Sequence, residues 1–218
     1  MLSLRPADTA GPLTVLAVGS HADDIEIGCS GTLLGLASLY QQLVVHWVVL
    51  GCSEDARAGE AERSALAFFD GGAQVDVRLG RFPDAFFPYG GGDVKRFFEQ
   101  LKAELEPRLI FTHYRHDLHQ DHRLACELTW NTFRDHLILE YEVPKYDGDL
   151  GIPNVFVPLD VATSDRKIAH LLEHFPSQSE KHWFTADLFR SMHRLRGMES
   201  NSPTGLAEAF YGRKLVLL

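Results

Sequence analysis

Residues Leu13–Gly19 read LTVLAVG, and residues Ser20–Glu26, which follow them directly, read SHADDIE. The first stretch is rich in branched apolar residues and stops at a glycine, which predicts a parallel strand buried on both faces. In an open α/β sheet, ligands bind beyond the carboxyl ends of the strands. The histidine and the carboxylates of the second stretch therefore lie where such a sheet carries its binding sites.

Strands and helices alternate along the rest of the chain. The hydrophobic patterns predict further strands at 44–50, 74–79, 108–112, 137–143 and 214–218, and helices at 30–43, 60–69, 93–104, 119–133, 164–175 and about 180–200. Short connections through residue 143 are typical of βαβ units, so we expect a mainly parallel sheet with helices on both faces. We predict one α/β domain over 1–218, with a core at 13–143 and a loop and helical elaboration at 144–218.

The overall charge disfavours some kinds of binding partner, and the cysteines indicate the cellular compartment. The 218 residues include 30 acidic and 21 basic side chains, and the net charge of -9 argues against a generic binder of nucleic acid or anionic membrane. No apolar run approaches the ~18 residues of a membrane span, and the N-terminal MLSLRPADTAGPLT lacks the apolar segment of a signal peptide. Cys29, Cys52 and Cys126 are far apart in apolar surroundings, so we expect reduced thiols in a cytoplasmic protein.

The first polar cluster combines one histidine with adjacent aspartates. His and carboxylate together suit a divalent metal of the zinc or iron type. His21 and Asp24 are three residues apart, so both side chains can converge in a tight loop while Asp23 points elsewhere. The alternative is structural, because an aspartate at this position can simply cap the following helix.

Glycines after this cluster raise the possibility of a dinucleotide site. Gly28, Gly31 and Gly35 are spaced as G-x-x-G-x-x-x-G, however, and not as the G-x-G-x-x-G of that site. Two acids directly before the helix would also repel a pyrophosphate. The spacing therefore disfavours a dinucleotide.

A second polar cluster follows the strand predicted at 108–112. It contains His113, His116, His119 and His122, with Asp117 and Asp121 between them. Any single histidine here has a structural explanation, but four within ten residues, at the edge that carries the first cluster, favour a functional site. His119 and His122 can share one helix face, and the two aspartates can orient imidazoles.

Together the clusters provide the parts of a metal-assisted hydrolase. A catalytic zinc takes three protein ligands and leaves one position open, and His21, Asp24 and a late histidine, best His122, satisfy that. Asp23 and His119 are then a carboxylate and an imidazole beside the open position. They can take a proton from water and stabilise an oxyanion or protonate a leaving amine.

These motifs resemble those of the LmbE-like family of metal-dependent N-deacetylases, also called the PIG-L family. HADD at 21–24 is similar to the family's HPDD, and DLHQDH at 117–122 is similar to its D-x-H-x-D-H. Weaker similarity continues in three segments as far as residue 212: Phe175–Gln178, Arg194–Gly197 and Ala207–Phe210. The resemblance therefore spans roughly residues 13–212.

The resemblance implies a fold, a reaction and roles for residues. The fold is a Rossmann-like, three-layer α/β domain, and the reaction is zinc-dependent hydrolysis of the acetamide of a small N-acetylated amino sugar, with another divalent metal such as Fe²⁺ as an option. The implied metal ligands are His21, Asp24 and His122. The implied catalytic residues are Asp23 as general base and His119, steered by Asp121. Asp84 and Arg63 are the weaker candidates for substrate contacts.

Two other functions remain open from the sequence. One is a metal-independent module that binds a sugar or nucleotide on the same fold, and the other is an iron oxygenase with two histidines and one carboxylate. The aromatic loop at 82–89 and the long loop at 144–158 are expected to select the substrate. The sequence leaves homo-oligomerisation open and gives no sign of a partner beyond a small molecule.

Overall fold

One sheet of seven strands organises residues 11–216, the part of the chain that this computed structural model describes. Its strands are β1 (Leu13–Gly19), β2 (Leu43–Val49), β3 (Gln74–Leu79), β4 (Leu109–His113), β5 (Leu137–Tyr141), β6 (Val155–Pro158) and β7 (Ala207–Gly212). The helices are α1 (Asp24–Leu39), α2 (Asp55–Ala67), α3 (Gly91–Glu104), α4 (Gln120–Thr132), α5 (Val161–His174) and α6 (Ala186–Glu199). Short 3₁₀ turns lie at Phe87–Gly90 and Pro176–Gln178.

The strand order β3-β2-β1-β4-β5-β7-β6 determines where a site can form. Strands β1 to β5 pair in parallel, whereas β7 runs antiparallel to both β5 and β6. The chain moves outward from β1 in one direction through β2 and β3, and then resumes on the other side with β4. The carboxyl ends of β1 and β4 therefore flank the point at which the strand order reverses, where ligands bind in such sheets.

Side chains of β1 alternate between two apolar cores. Val15 and Ala17 pack in a cluster with residues of α1, α2, α5 and α6, and Leu16 and Val18 pack in a second cluster with α3 and α4. Helices thus cover both faces of the sheet, and the predicted three-layer α/β fold is confirmed. Because β6 and β7 join the same sheet, we propose that 144–218 elaborates a single domain.

Helix α1 begins at Asp24, six residues before the predicted start at 30. Its first half is buried on all sides, so it lacks the amphipathic spacing by which a surface helix is found. Gly28 allows a close approach, since a Cβ at that position would lie 2.1 Å from the ring of Tyr141. The helix that follows β1 is therefore fixed with its N-terminus at the sheet edge that carries the first polar cluster.

The predicted last strand at 214–218 is wrong for the residues that can be described. Residues 214–216 are not a strand, and 217–218 lie outside the described range. Within residues 11–216 the last strand is β7, which is hard to find in the sequence because Glu208 interrupts its apolar pattern. The absence of a signal peptide was predicted partly from residues 1–10, which also lie outside the described range. No helix within 11–216 is long and apolar enough to cross a membrane.

Glu208 is the acceptor of a buried polar network that ties three elements together. Its carboxylate accepts the backbone N–H groups of Gly31 (2.8 Å) and Thr32 (2.7 Å) in α1. Lys167 of α5 donates to Glu208 Oε1 (2.5 Å) and to the Ile27 carbonyl (2.7 Å). Both charged side chains are nearly inaccessible to solvent, so each depends on the other for charge compensation.

We expect Lys167→Met to lower the free energy of unfolding by about 3–5 kcal/mol, because it leaves the Glu208 carboxylate buried without its cation. Urea denaturation followed by circular dichroism measures this change. Lys102→Met, at an exposed position of α3, is the control and should change stability by less than about 0.5 kcal/mol. A Lys167→Met protein as stable as this control would contradict the assignment.

Candidate active site

The two polar clusters meet in one pocket at the carboxyl ends of β1 and β4. The loop after β1 and the start of α1 supply His21, Asp23 and Asp24, while the loop after β4 and the start of α4 supply His119 and His122. The cavity has a volume of about 420 Å³. Residues that are nearly 100 positions apart in sequence are thus adjacent because β1 and β4 are neighbours in the sheet.

Three potential ligand atoms converge at the base of this pocket. His21 Nδ1 lies 3.1 Å from His122 Nε2 and 3.3 Å from Asp24 Oδ2. His122 Nε2 lies 3.5 Å from the same Asp24 oxygen. The backbone N–H of His21 donates to Asp24 Oδ2 (2.6 Å), which fixes the carboxylate in this position.

The opposite nitrogen of each imidazole faces a carboxylate. His122 Nδ1 lies 2.9 Å from Asp117 Oδ2, and His21 Nε2 lies 2.8 Å from Asp84 Oδ1. The Nδ1–H of His122 donates to Asp117, so neutral His122 presents the lone pair of Nε2 toward His21 and Asp24, whereas both nitrogens of His21 lie beside carboxylates. Burial and the neighbouring His113 lower the pKa of His122 to about 4, which favours its neutral form.

The spacing of these atoms fits a tetrahedral divalent cation. Bonds of about 2.0–2.2 Å in tetrahedral geometry place ligand atoms roughly 3.3 Å apart, the mean of the separations seen here. Without a cation, a proton can take its place. Burial lowers the pKa of His21, but the surrounding carboxylates, above all Asp24, outweigh it and raise the pKa well above its usual value. A proton and a cation therefore compete for the same lone pair.

His113 lies close to these atoms but has a different function in the structure. Its Nε2 is 3.2 Å from Asp24 Oδ2, yet it accepts the backbone N–H of Ser20 at 2.9 Å, which occupies its lone pair. Its ring stacks on that of His122 with centroids 3.9 Å apart. His113 therefore supports the His122 ring from behind.

Asp23 lines the pocket and is paired with an arginine. It occupies the N-cap position of α1 but makes no side-chain capping hydrogen bond, so the helix-cap alternative does not apply to it. Arg57 Nη2 donates to Asp23 Oδ1 (2.7 Å), and its other branch contacts Glu60 (2.7 Å) and Ser177 Oγ (2.9 Å). Burial raises the pKa of Asp23 although Arg57 opposes the shift.

His119 lines the pocket next to the converging atoms. Its ring centroid lies 4.9 Å from that of His21 and 4.6 Å from that of His122. Its Nδ1 accepts the backbone N–H of Asp121 (3.3 Å), so its Nε2 is the nitrogen that carries the proton. Burial lowers the pKa of His119, and His21 adds to this shift.

The expected partnership of the Asp121 carboxylate with the His119 ring is corrected by the structure. The Asp121 side chain instead accepts the backbone N–H groups of Ala85 (2.7 Å) and Phe87 (3.1 Å) and lies 3.4 Å from His21 Nε2. It contacts His119 only through its own backbone. Its carboxylate therefore fixes the 85–87 segment of the aromatic loop beside the site.

Asp84 and Arg63, the two candidates for substrate contacts, lie in different places. Asp84 is at the pocket over His21, whose hydrogen bond lowers the pKa of Asp84 to about 2. The residues Arg81 and Ala85 on either side of it have positive φ angles of 57° and 66°. Arg63 instead lines a separate groove on the far side of α2. Six residues turn a helix by about 600°, so Arg63 points roughly 120° away from Arg57, which is the arginine that reaches the pocket.

The sequence indicated only part of the outer wall of the pocket. Lys145 and Tyr146 line it and belong to the 144–158 loop that is expected to select the substrate. Lys181 and Trp183 line it too, from an irregular segment before α6 that falls within the helix predicted at about 180–200. Gln178, which lies within the Phe175–Gln178 similarity, lines it as well. The Arg57-x-x-Glu60 spacing was a usable signal, because an i,i+3 pair of opposite charges indicates an ordered arginine.

Comparison with known proteins places this geometry in a family. The model of the PIG-L family, described as GlcNAc-PI de-N-acetylase, matches residues 16–133, more than half of the chain. The chain is 28% identical over 171 residues to the uncharacterized deacetylase YaiS of Escherichia coli (strain K12), an alignment that covers 73% of this chain and 89% of YaiS.

The solved structures that share the fold at low identity include a deacetylase and a hydratase. The N,N'-diacetylchitobiose deacetylase of Pyrococcus horikoshii has a TM-score of 0.70 and 18% identity, with 92% of this chain and 83% of that chain covered. GalB, the 4-carboxy-2-hydroxymuconate hydratase of Pseudomonas putida KT2440, has a TM-score of 0.67 and 16% identity, with 94% and 98% covered. At such identities the likeness shows a common fold and leaves the reaction to be inferred from the site.

We expect the purified protein to bind one equivalent of Zn²⁺ or Co²⁺ per chain. We expect His122→Ala to weaken that binding by more than about 100-fold, because removing a metal ligand weakens binding more than removing a residue that hydrogen-bonds to a ligand. Calorimetric titration measures both. His116→Ala is the matched control, since His116 is an exposed histidine of the same segment. Equal binding by the two variants would rule out His122 as a ligand.

Proposed function

The chain belongs to the PIG-L family, and on this premise we propose that it is a zinc-dependent N-deacetylase acting on a small N-acetylated amino sugar or related glycoside. The observation that carries the proposal is the convergence of three potential ligand atoms, from His21, Asp24 and His122, at tetrahedral spacing. Asp23 and His119 line the same pocket, so a base and an imidazole lie beside that point. A binding module that works without metal would not need this convergence of potential ligand atoms.

The proposed reaction divides between the metal and the residues of the chain. A bound divalent cation supplies acidity to water and polarises the acetamide carbonyl. Asp23 takes a proton from the attacking water and returns it to the amine nitrogen as the C–N bond breaks, which releases acetate. Arg57 fixes the Asp23 carboxylate through Oδ1, and burial raises the pKa of Asp23, which helps it to hold the proton between the two steps.

We assign His119 the role of stabilising the oxyanion. Its lowered pKa keeps the imidazole neutral near pH 7, and the hydrogen bond at Nδ1 leaves the Nε2–H to donate. A neutral donor beside the reacting carbonyl stabilises the negative charge that develops on oxygen. The leaving amine then receives its proton from Asp23.

The pocket walls support a carbohydrate substrate. Asp84 and Gln178 offer hydrogen-bonding groups, and Tyr146 and Trp183 offer aromatic faces on which a sugar ring can stack. The cavity volume of about 420 Å³ lies within the ~300–1,000 Å³ range of small-molecule sites. A cytoplasmic location and any oligomeric state remain predictions.

We expect the zinc-loaded protein to release acetate from at least one member of a panel of N-acetylated monosaccharides, disaccharides and aryl glycosides, and a chelator to abolish the release until zinc is restored.

Asp23→Asn should lower kcat by about 10²- to 10⁴-fold while zinc content stays at one per chain, because only the base is lost. Asp93→Asn, at an exposed position of α3, is the control. A protein that binds sugars equally well with and without metal and releases no acetate would support the binding-module alternative.

We expect His119→Ala to lower kcat by about 10²- to 10³-fold with little change in zinc affinity, because an oxyanion donor acts on the reaction and not on the metal. Steady-state acetate release and calorimetric zinc titration separate the two effects. Loss of zinc binding in this variant would show instead that His119 is a ligand.

A further inference from the structure

Lys145 is a largely buried lysine in the wall of the pocket, where it contacts the carboxylate of Asp117 from the second polar cluster. Its side chain is 11% exposed, and its Nζ lies 2.8 Å from Asp117 Oδ2 and 2.6 Å from Asp149 Oδ2. The same Nζ is 3.3 Å from the Val143 carbonyl. The Asp117 and Asp149 side chains are 2% and 6% exposed, so one cation is shared by two largely buried acids at the wall of the pocket.

Asp117 is the point at which Lys145 connects to the site. The oxygen that receives Lys145, Oδ2, also accepts the Nδ1–H of His122 (2.9 Å). The other oxygen accepts the backbone N–H of His119 (2.8 Å). One carboxylate thus fixes the ring of the proposed ligand and the backbone of the proposed oxyanion donor.

Asp149 joins the loop at residues 145–149 to the second polar cluster. Its Oδ2 accepts both Lys145 Nζ and the backbone N–H of Leu118 (2.7 Å), next to His119. Residues 145–149 are therefore bonded to residues 117–118 at two places. This loop also forms part of the pocket wall through Lys145 and Tyr146.

We propose that Lys145 is a positioning residue that holds the Asp117 carboxylate against His122 and so couples the 143–149 wall of the substrate pocket to the metal centre. The inference rests on the proposed function, since it concerns the metal ligand His122. Without the ammonium group, Asp117 and Asp149 would be two buried acids without a shared cation, and Asp117 would move toward water or another donor. His122 would then lose the partner that sets its tautomer and ring angle.

The direction of the effect separates this role from simple electrostatics. Removing a positive charge near a cation site strengthens cation binding if charge alone matters, because the repulsion is lost. Removing the group that positions Asp117 weakens cation binding, because residues that hydrogen-bond to metal-bound histidines contribute about 10- to 100-fold to metal affinity. The sign of the change in affinity therefore decides between the two.

The test compares Lys145→Met, Lys145→Gln and Lys145→Arg in the full chain, with Lys95→Met as the control because Lys95 also forms an ion pair but lies on α3, away from the site. Zn²⁺ affinity is measured by calorimetry, and the visible d–d bands of bound Co²⁺ report the geometry of the ligands. Circular dichroism establishes that each variant is folded. If Lys145→Met does not fold, Lys145→Gln takes its place.

We expect Lys145→Met and Lys145→Gln to bind Zn²⁺ about tenfold more weakly and to show shifted Co²⁺ bands. Tenfold is the lower end of the effect of losing a residue that hydrogen-bonds to a metal ligand. Lys145→Arg should restore affinity to within about threefold, and Lys95→Met should match the wild type. Unchanged or tighter binding by the folded Met and Gln variants, or failure of Arg to restore it, would overturn the inference alone. Absence of metal binding by the wild type would overturn the proposed metal centre and this inference with it.

Discussion

Three potential metal-ligand atoms that point at one another make up the interaction on which the proposed site depends. His21 Nδ1, His122 Nε2 and Asp24 Oδ2 lie 3.1–3.5 Å apart in a largely buried position. Such an arrangement is repulsive by itself and becomes favourable only with a proton or a cation between the atoms. Asp117 orients the His122 ring from behind, and Asp84 faces the outer nitrogen of His21, so the surrounding carboxylates favour a positive charge at this point.

The fold accounts for the precision of this arrangement. β1 and β4 are adjacent and parallel, so the loops that follow them emerge side by side at one edge. Helix α1 begins within the first motif and is anchored in its middle by Glu208, which prevents the segment from shifting along its axis. The Arg196–Glu142 pair is buried like the Lys167–Glu208 pair, and Arg196 donates to the Gly151 carbonyl in the 144–158 loop. The similarity in 194–197 and 207–210 thus concerns residues that fix the scaffold around the site.

The sequence predicted those parts of the molecule whose physical cause is local. The apolar runs of β1 and β4 and the spacing of the histidine motifs depend on neighbouring residues only, and both were recognised. Residues whose role depends on distant partners were harder to assign. The charge of Glu208 concealed β7, because its compensating lysine lies 41 residues away. The choice between Arg57 and Arg63 required the orientation of α2, and the partners of Asp121 required the course of the 85–87 segment.

The balance of charge around the pocket gives a further reason to expect a cation at Asp24. Asp23 is paired with Arg57 and Asp117 with Lys145, and burial raises the pKa of Glu26 to about 8, so that carboxyl is mostly protonated near neutral pH. Among residues 11–216, the groups around Asp24 Oδ2 are imidazoles and a backbone N–H, with no lysine or arginine in contact; burial opposes ionisation, but the imidazoles hold the pKa of Asp24 well below its usual value. A buried carboxylate without a permanent cation is costly. The structure tolerates this cost at the point where a metal ion would remove it.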